Sequence, residues 1–430
     1  MALDYTTKIV RRRSGDTRQL SADICVLGSG AAGVSAAIEA ARLGRRVVLV
    51  DGAPQLGGQA TGAMIGTFCG FYSNGKNPHL VTHGIAEEML RDLRANGDAH
   101  DILGRRNTII VQYRVAALQR WVEEAVRKAG IDVLLGAVLR SVRRDGRRIE
   151  RLAFATRYGE VDVTARGFVD ASGDAALAWT AGLDCREPGQ DPIYGTAMFS
   201  LEGFDAEKLA NLDRTVLKAR IAEKAHAYGI KRQDGFLFAP PGSGEALVNM
   251  THVETPLDPV GGSMAVLEGR AEVDRLVAFL RAEFPDVFAK ARVRTYALPG
   301  IRQTRWIVGA YQLAASDVRE GVRFDDAVAR CSWPIEVHNR PGDVHWEEFG
   351  DDHMHYVPFR SMAHAQADNL VAAGRCIDAD PVALSSVRVM GPCIAMGAAA
   401  AHALDIAGAG SIHQLDMGEL QKRIARNLSD

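Results

Sequence analysis

No C-x-x-C pair occurs anywhere in the 430 residues, and the six cysteines, Cys25, Cys69, Cys185, Cys331, Cys376 and Cys393, are scattered. That excludes a paired-thiol redox motif and, in a chain this long, a disulfide framework. A reducing compartment fits, so a cytoplasmic location is expected. The net charge is only -2, so no long-range field favours nucleic acid or an anionic membrane, and neither is expected as a partner. No run of eighteen or more uncharged apolar residues stands out, and no membrane span is expected. A basic run, Arg11 to Arg13, lacks an apolar region behind it. Residues 1–22 therefore read as a solvated N-terminal arm, although the same arginines would suit a twin-arginine or transit signal. Internal repeats and low-complexity tails are missing too.

What is present reads as a soluble globular chain long enough for two or three domains. The stretch "ADICVLGSGAAGVSAAIEAARLGRRVVLVDGAPQLGG" predicts a buried strand over 24–27, a glycine turn, a helix of small residues over 31–43 and a second buried strand over 47–50. Strand, helix and strand in that order make one right-handed βαβ unit on a parallel sheet. A second helix carries Leu118, Trp121, Ala125 and Ala129 on one face, and a further strand follows at 133–135. Residues 138–170 alternate in three short segments around "RDG" and "RYGE", which predicts a three-stranded antiparallel meander. From 181 to 359 the composition is mixed, with loop signals and one helix carrying Met264, Leu267, Ala271, Val277, Leu280 and Phe284. This segment reads as an inserted α+β substrate (cap) domain. The first domain, 23–180, then resumes over 360–430 with a buried strand at 370–373 and an alanine-rich helix near 392–406.

The turn Gly28-Ser29-Gly30-Ala31-Ala32-Gly33 has glycines for reasons of space. The first permits the tight turn, the second lets backbone N–H groups approach a pyrophosphate, and the third lets helix and strand pack closely. The helix start offers its partial positive charge to the phosphates. Asp51, followed by Gly52, ends the second strand where it can accept ribose hydroxyls. Strand, helix, strand and acid fall in register for dinucleotide binding.

Three more stretches narrow the choice: "LGGQATG" (56–62), "VDASGDA" (169–175) and "NLVAAGRCID" (369–378). With "GIRQTRWIVGAYQLAASDV" (300–318), "WPIEVHN" (333–339), "YVPFRSM" (356–362) and "SSVRVMGPCIAMGAAAA" (385–401), the chain resembles the FAD-dependent oxidoreductase family. That family lies in the glutathione-reductase-like FAD superfamily, and the resemblance extends to fumarate-reductase flavoproteins. It covers nearly everything beyond residue 22 and implies an α/β fold with a Rossmann-like FAD-binding domain. It also implies roles for particular residues. Gly57 and Gly58 would cradle the pyrophosphate and ribitol, with Gln59 and Ala60 running toward the flavin. Val138 would meet the adenine through its backbone, and Ser172 and Gly173 would pack beside the adenosine. Gly374 and Arg375 would lie against phosphate and ribitol. The alanine-rich helix, with Cys393 and Ile394 in its first turn and Arg388 just before it, would aim its N-terminus at the isoalloxazine. A helix N-terminus stabilises the negative charge of reduced flavin there. No second strand-linked glycine fingerprint occurs, so a separate nicotinamide domain is not expected and the bound dinucleotide reads as FAD.

The reacting residues are less legible. His338, after "WPIEV", is a candidate proton acceptor, or alternatively a residue that satisfies a core carbonyl. Arg302, Arg305, Arg360 and Arg388 come from three separate blocks that the resemblance places toward the active cleft. Planar guanidinium groups hold carboxylates bidentately, so a carboxylated small-molecule substrate fits, as would structural ion pairs. His355 and Tyr356 adjoin one of these blocks, and Tyr72 is a candidate to close over the ring. Cys69 reads as a small buried filler, and covalent flavin attachment stays open. The loop "DVHWEEFGDDHMHY" has the letters of a metal site and equally those of a solvated acidic loop; no metal is expected. The leading reading is a dehydrogenase or oxidase that takes a hydride from a small anionic metabolite onto flavin N5 and passes electrons to oxygen or an external acceptor. The alternatives are reduction of an activated C=C bond and a non-redox flavoprotein, either an isomerase or a structural subunit. Homodimers are common among such flavoproteins.

Overall fold

The computed structural model describes residues 6–11, 15–104, 108–189, 193–240 and 243–429. Its centre is a five-stranded parallel sheet. In spatial order the strands are Leu370–Ala372, Gly167–Asp170, Ile24–Leu27, Val47–Asp51 and Asp132–Leu135. The three inner strands are continuous apolar runs because both faces of the sheet are covered. Val26 pairs with Leu49 on one side and Val169 on the other. The helix Ala31–Arg42 crosses over one face and packs against the alanine-rich helix, Met390–Ala407. Their small side chains let the backbones approach closely: a Cβ on Gly397 would overlap the carbonyl oxygen of Ala32. Ser35 donates its hydroxyl to the carbonyl of Ile394 at 2.7 Å and fixes the two helices in register. The alanine-rich helix is long and apolar enough to cross a membrane by length and composition, but two thirds of it is buried inside the protein.

The other face of the sheet carries the meander, Val138–Asp145, Arg148–Thr156 and Gly159–Thr164. Two expectations change here. Thr17–Ser21, read as part of a free arm, is a fourth strand running parallel to Gly159–Thr164. Leu20 packs against the cluster containing Val161 and Val163, and Gln19 donates to Asp162. Five mostly polar residues carry too little periodicity to announce such an edge strand. Within the basic run, Arg11 is exposed, while Arg12 and Arg13 lie outside the described residues. The segment at 169–170, expected to close the meander, instead belongs to Gly167–Asp170 at the heart of the parallel sheet.

A second hydrophobic core is built around the antiparallel strands Phe236–Phe238, Ala246–Asn249, Phe199–Glu202 and Arg292–Tyr296, in that order. The helices Arg214–Tyr228 and Pro259–Glu283 contribute Leu217, Ile221, Leu276, Phe279 and Leu280 to that core. The long helix is where the sequence predicts it, and part of its apolar face holds: Val277 and Leu280 are buried as expected, joined by Val273, Leu276 and Phe279, whereas Met264 and Leu267 are more than half exposed. The helix is covered only over its later turns, so its first turns have no core to face.

Candidate functional site

The turn after Ile24–Leu27 separates the roles of its three glycines. Gly28 has φ +101°, and a Cβ on it would overlap the carbonyl of Ala171. A Cβ on Gly33 would overlap the carbonyl oxygen of Gly28. A Cβ on Gly30, in contrast, would meet no protein atom within 4 Å. Gly28 and Gly33 are therefore required by the protein's own packing, and Gly30 by whatever the protein packs around. Gly58 abuts Gly30 from the facing loop, so that a Cβ on it would come within 2.7 Å of the Gly30 Cα, and Gly57 donates its N–H to the carbonyl of Ser29 at 3.0 Å.

These segments line a cleft of about 300 Å³. Of the expected cofactor residues, Gly28, Gly30, Ala31, Ala32, Asp51, Gly58, Gln59, Ala60, Ser172, Gly173, Gly374, Arg375, Arg388 and Cys393 border it. Gly33, Gly52, Gly57, Val138 and Ile394 do not. Gly33 is a packing residue, Val138 is exposed at the start of its strand, and Ile394 is buried behind the helix face. Asp51 accepts the N–H and hydroxyl of Ser29 at 2.6 and 2.7 Å and the N–H of Ala53 at 2.7 Å. It ties the glycine turn to the strand end, and its oxygens retain lone pairs for a further donor. Cys393 points its thiol at the carbonyl of Arg388, 3.2 Å away. The alanine-rich helix begins two residues earlier than expected, at Met390, which also lines the cleft. Close to it, the N–H of Gly391 is taken by the carbonyl of Cys69.

Arg375 is the telling residue. Its Nη1 is buried and has no hydrogen-bond partner, and the nearest acid, Asp174, stands 3.8 Å from Nη2. A buried guanidinium nitrogen left unsatisfied in the wall of a cleft fits an anionic ligand such as a pyrophosphate. With the open space before Gly30, the residues present fit a dinucleotide.

A second cavity, of about 260 Å³, opens beside the first, and the two share Gln59, Ile65, Ile301, Arg375, Arg388 and Met390. Phe236, Phe238, Trp333, Trp346 and Met198 give it an apolar, largely aromatic wall. Five charged side chains interrupt that wall: Arg214, Arg302, Arg375, Arg388 and Glu336. Arg302 donates to the carbonyl of Tyr194 at 2.7 Å, and Arg388 to the backbone carbonyl of Glu336 at 3.0 Å. Burial lowers the pKa of both guanidiniums, and their mutual repulsion lowers that of Arg302 further. Arginine nevertheless stays charged, so the direction of these shifts marks a demand for counter-charge.

His338 lies one layer behind the pocket. It is 1 % exposed and wedged between two partners. Its Nε2 meets Oε1 of Glu336 at 2.8 Å, and its Nδ1 meets Nε2 of His252 at 2.9 Å. Burial, reinforced by Arg302, Arg232 and Arg388, holds its pKa well below the usual histidine range. The residue that faces the pocket is thus Glu336. The sequence reading missed both Glu336 and His252. The first had a signal: in "WPIEVHN" Ile335 and Val337 point one way into the core, which turns Glu336 and His338 together to the other face. His252 is 86 residues away in sequence, and no local pattern announces it.

Besides His338, four expected catalytic residues lie outside the two cavities. Arg305 is bonded to Glu187 at 2.9 Å and lies over the ring of Trp179. Arg360 forks onto Asp326 at 3.0 and 3.2 Å and covers Tyr311. His355 is fully buried against Ser386 and His353. Tyr356 sits under Arg323 on another face. In each case a nearer acid, hydroxyl, ring or guanidinium claims the side chain. Tyr72 likewise turns away and accepts from Arg94 at 2.8 Å. Cys69 does line the second cavity, where burial raises its thiol pKa and keeps it a thiol. Among the described residues no three His, Cys, Asp or Glu side chains converge as a metal-ligand set.

Residues 23–424 match the model of the family described as FAD dependent oxidoreductase; the chain belongs to that family, and FAD is its cofactor. No curated protein matches it in sequence. Among solved structures it is similar to a geranylgeranyl bacteriochlorophyll reductase-like protein from Thermoplasma acidophilum. The identity there is 14%, the match covers 95% of this chain and 85% of that one, and the TM-score is 0.48. It is also similar to the flavin-dependent brominase Bmp2 at 13% identity, covering 94% and 83% of the two chains, with a TM-score of 0.47. An aromatic hydroxylase from angucycline biosynthesis matches at 13% identity over 94% and 68%, with a TM-score of 0.48.

Proposed function

We propose that this FAD-dependent oxidoreductase oxidises a small carboxylate whose body is apolar and largely flat. The observation that carries the reading is the pair of buried guanidiniums, Arg302 and Arg388, in one largely apolar pocket beside the cofactor cleft. Two cations that lack a matching pair of acids hold an anion, and the planar fork of arginine suits a carboxylate. Each charge-assisted hydrogen bond made there contributes about 1.5–3 kcal/mol. Phe236, Phe238, Trp333 and Trp346 would enclose the body of the substrate and exclude water from it. Bound FAD supplies the two-electron chemistry, its ring N5 being the hydride acceptor. Arg302 and Arg388 fix the carboxylate end, so that the oxidisable carbon is held at the opening shared by the two cavities. Electrons would then pass to oxygen or an external acceptor.

The test is an anaerobic visible spectrum of the purified holoprotein during titration with matched pairs of compounds. Aryl hydroxy and amino acids are expected to bleach the flavin, and their neutral amides to do so far less. Equal bleaching by acid and amide would remove the arginine clamp from the reading. Bleaching by none of the panel would remove the oxidative reading altogether.

A further inference from the structure

We infer that Glu336 is the residue that exchanges a proton with the substrate, and that His338 and His252, anchored on the carbonyl of Pro341, are positioning residues that hold it. The inference rests on the pocket of Arg302 and Arg388 being the substrate site.

Four groups stand in a row with three contacts between them. Glu336 Oε1 meets His338 Nε2 at 2.8 Å, His338 Nδ1 meets His252 Nε2 at 2.9 Å, and His252 Nδ1 meets the carbonyl oxygen of Pro341 at 2.8 Å. Each contact needs one hydrogen. The carbonyl has none to give, so the first must sit on His252 Nδ1. Burial lowers the pKa of His252 to about 3, so the ring is neutral and its Nε2 accepts. The second hydrogen therefore belongs to His338 Nδ1. That leaves the bare Nε2 of His338 facing an oxygen of Glu336. Two neutral imidazoles and a carboxylate hold two hydrogens for three contacts, and the row is one proton short. It is complete when Glu336 takes up one more.

The row is also closed at its far end. A carbonyl accepts a hydrogen bond but stores no proton, so whatever enters at Glu336 leaves again through the pocket. The charged and titratable groups facing it are Arg302, Arg232 and Arg388, with Asp234, Glu272 and Tyr194 near His252 and Cys69 near Glu336. Trp333 donates its indole N–H to the other oxygen of Glu336 at 3.2 Å, and Ser385 accepts the N–H of the Glu336 backbone. The carboxyl is thus held from two sides and its backbone from a third, while it borders the cavity. In the oxidation proposed above, the C–H bond of the substrate breaks and its electron pair leaves with the hydrogen as hydride to FAD. The O–H or N–H bond breaks, its proton passes to Glu336, and a C=O or C=N bond remains.

The test uses the holoenzyme with ¹⁵N-labelled histidine, and the variants Glu336→Gln, His252→Phe and His252→Gln. The ring nitrogens of His252 and His338 are expected to show the Nδ1–H form. The Nε2 resonance of His338 should move with pH in the wild type and stay fixed in Glu336→Gln, whose amide supplies the missing hydrogen permanently. A resonance that stays still in the wild type, or moves alike in both, would overturn the inference. In rapid mixing with mandelate and phenylglycine, Glu336→Gln should slow bleaching by about 10²- to 10⁴-fold at unchanged flavin content. His252→Phe should alter the pH profile of bleaching, and His252→Gln, which keeps one donor and one acceptor, should restore it. Bleaching of Glu336→Gln at the wild-type rate also overturns the inference. If neither compound bleaches the wild type, the substrate reading fails, and the histidine resonances still decide the row.

Discussion

The carboxylate of Asp170 accepts the backbone N–H of Leu177 at 2.9 Å, deep inside the protein. It also accepts from Ala178 at 3.1 Å and from the N–H and hydroxyl of Ser172 at 3.2 and 2.6 Å. One side chain at the end of the inner strand Gly167–Asp170 thus shapes the Ser172–Gly173 wall of the cofactor cleft. Asp170→Ala would strand several buried donors at once, at about 1–3 kcal/mol for each left unsatisfied. The expected outcome is a loss of about 3 kcal/mol or more, accompanied by a lower flavin content. Urea unfolding and the ratio of visible to ultraviolet absorbance measure the two effects.

Gly30 and Gly33 should respond to the same substitution in opposite ways. Gly33→Ala overlaps protein backbone and should compromise folding of the apoprotein. Gly30→Ala meets open space in the protein, so its apoprotein should unfold at the wild-type midpoint yet fail to take up FAD. Thermal unfolding of apoprotein and a fluorescence titration with FAD separate the cases. A destabilised Gly30→Ala apoprotein would contradict the reading of that glycine.

Arg375→Gln removes the guanidinium whose Nη1 lacks a partner. Losing a charge-assisted hydrogen bond of about 1.5–3 kcal/mol should weaken FAD binding roughly 10- to 100-fold and leave apoprotein stability nearly unchanged. The FAD titration again provides the measurement. Unaltered affinity would separate Arg375 from the cofactor.

Acid should destabilise the fold well before carboxylates are protonated in bulk. Burial lowers the pKa of His252 and His355 to about 3 and of His364 to about 4, from 6.5. Below 6.5 the unfolded chain binds protons on these rings and the folded chain does not. Their contribution is therefore fully present above pH 6.5 and is lost as pH falls toward 4 and 3. Each group has a limiting slope of about 1.4 kcal/mol per pH unit. Urea midpoints measured at pH 7.5, 6 and 5 should fall steadily, and less steeply in His355→Gln.

Arg305→Ala and Arg360→Ala should leave the rate of flavin bleaching within about twofold of wild type, since both side chains are engaged at partly exposed ion pairs away from the cleft. A loss of rate as large as that of an Arg302 or Arg388 variant would return them to the site. Stopped-flow absorbance decides it.

The contrast among these arginines shows what the sequence carries. The cofactor cradle was legible because its constraint is local: a tight turn, a close approach and a helix start are written in consecutive residues. Side-chain direction is not local. Arg302 and Arg305 share one short block, yet the first reaches the pocket and the second turns out to Glu187. Arg360 lies in a block with a family likeness and is claimed by Asp326, 34 residues away. Glu336 was readable from the alternation around His338, whereas its partner His252 and the edge strand Thr17–Ser21 depend on pairings across long loops.

The order of strands in the central sheet also sets when this protein can become itself. Ile24–Leu27, Val47–Asp51 and Asp132–Leu135 emerge early in synthesis, but their neighbour Leu370–Ala372 is made some two hundred residues after Gly167–Asp170. Arg375 and the alanine-rich helix come later still. A growing chain therefore carries an open sheet edge and half a nucleotide cleft while those intervening residues are made. Closing so long a loop makes completion slow relative to local helix formation. In a cell, the nascent chain is the species most exposed to strand-to-strand association, and cofactor capture must await Arg375 and the alanine-rich helix.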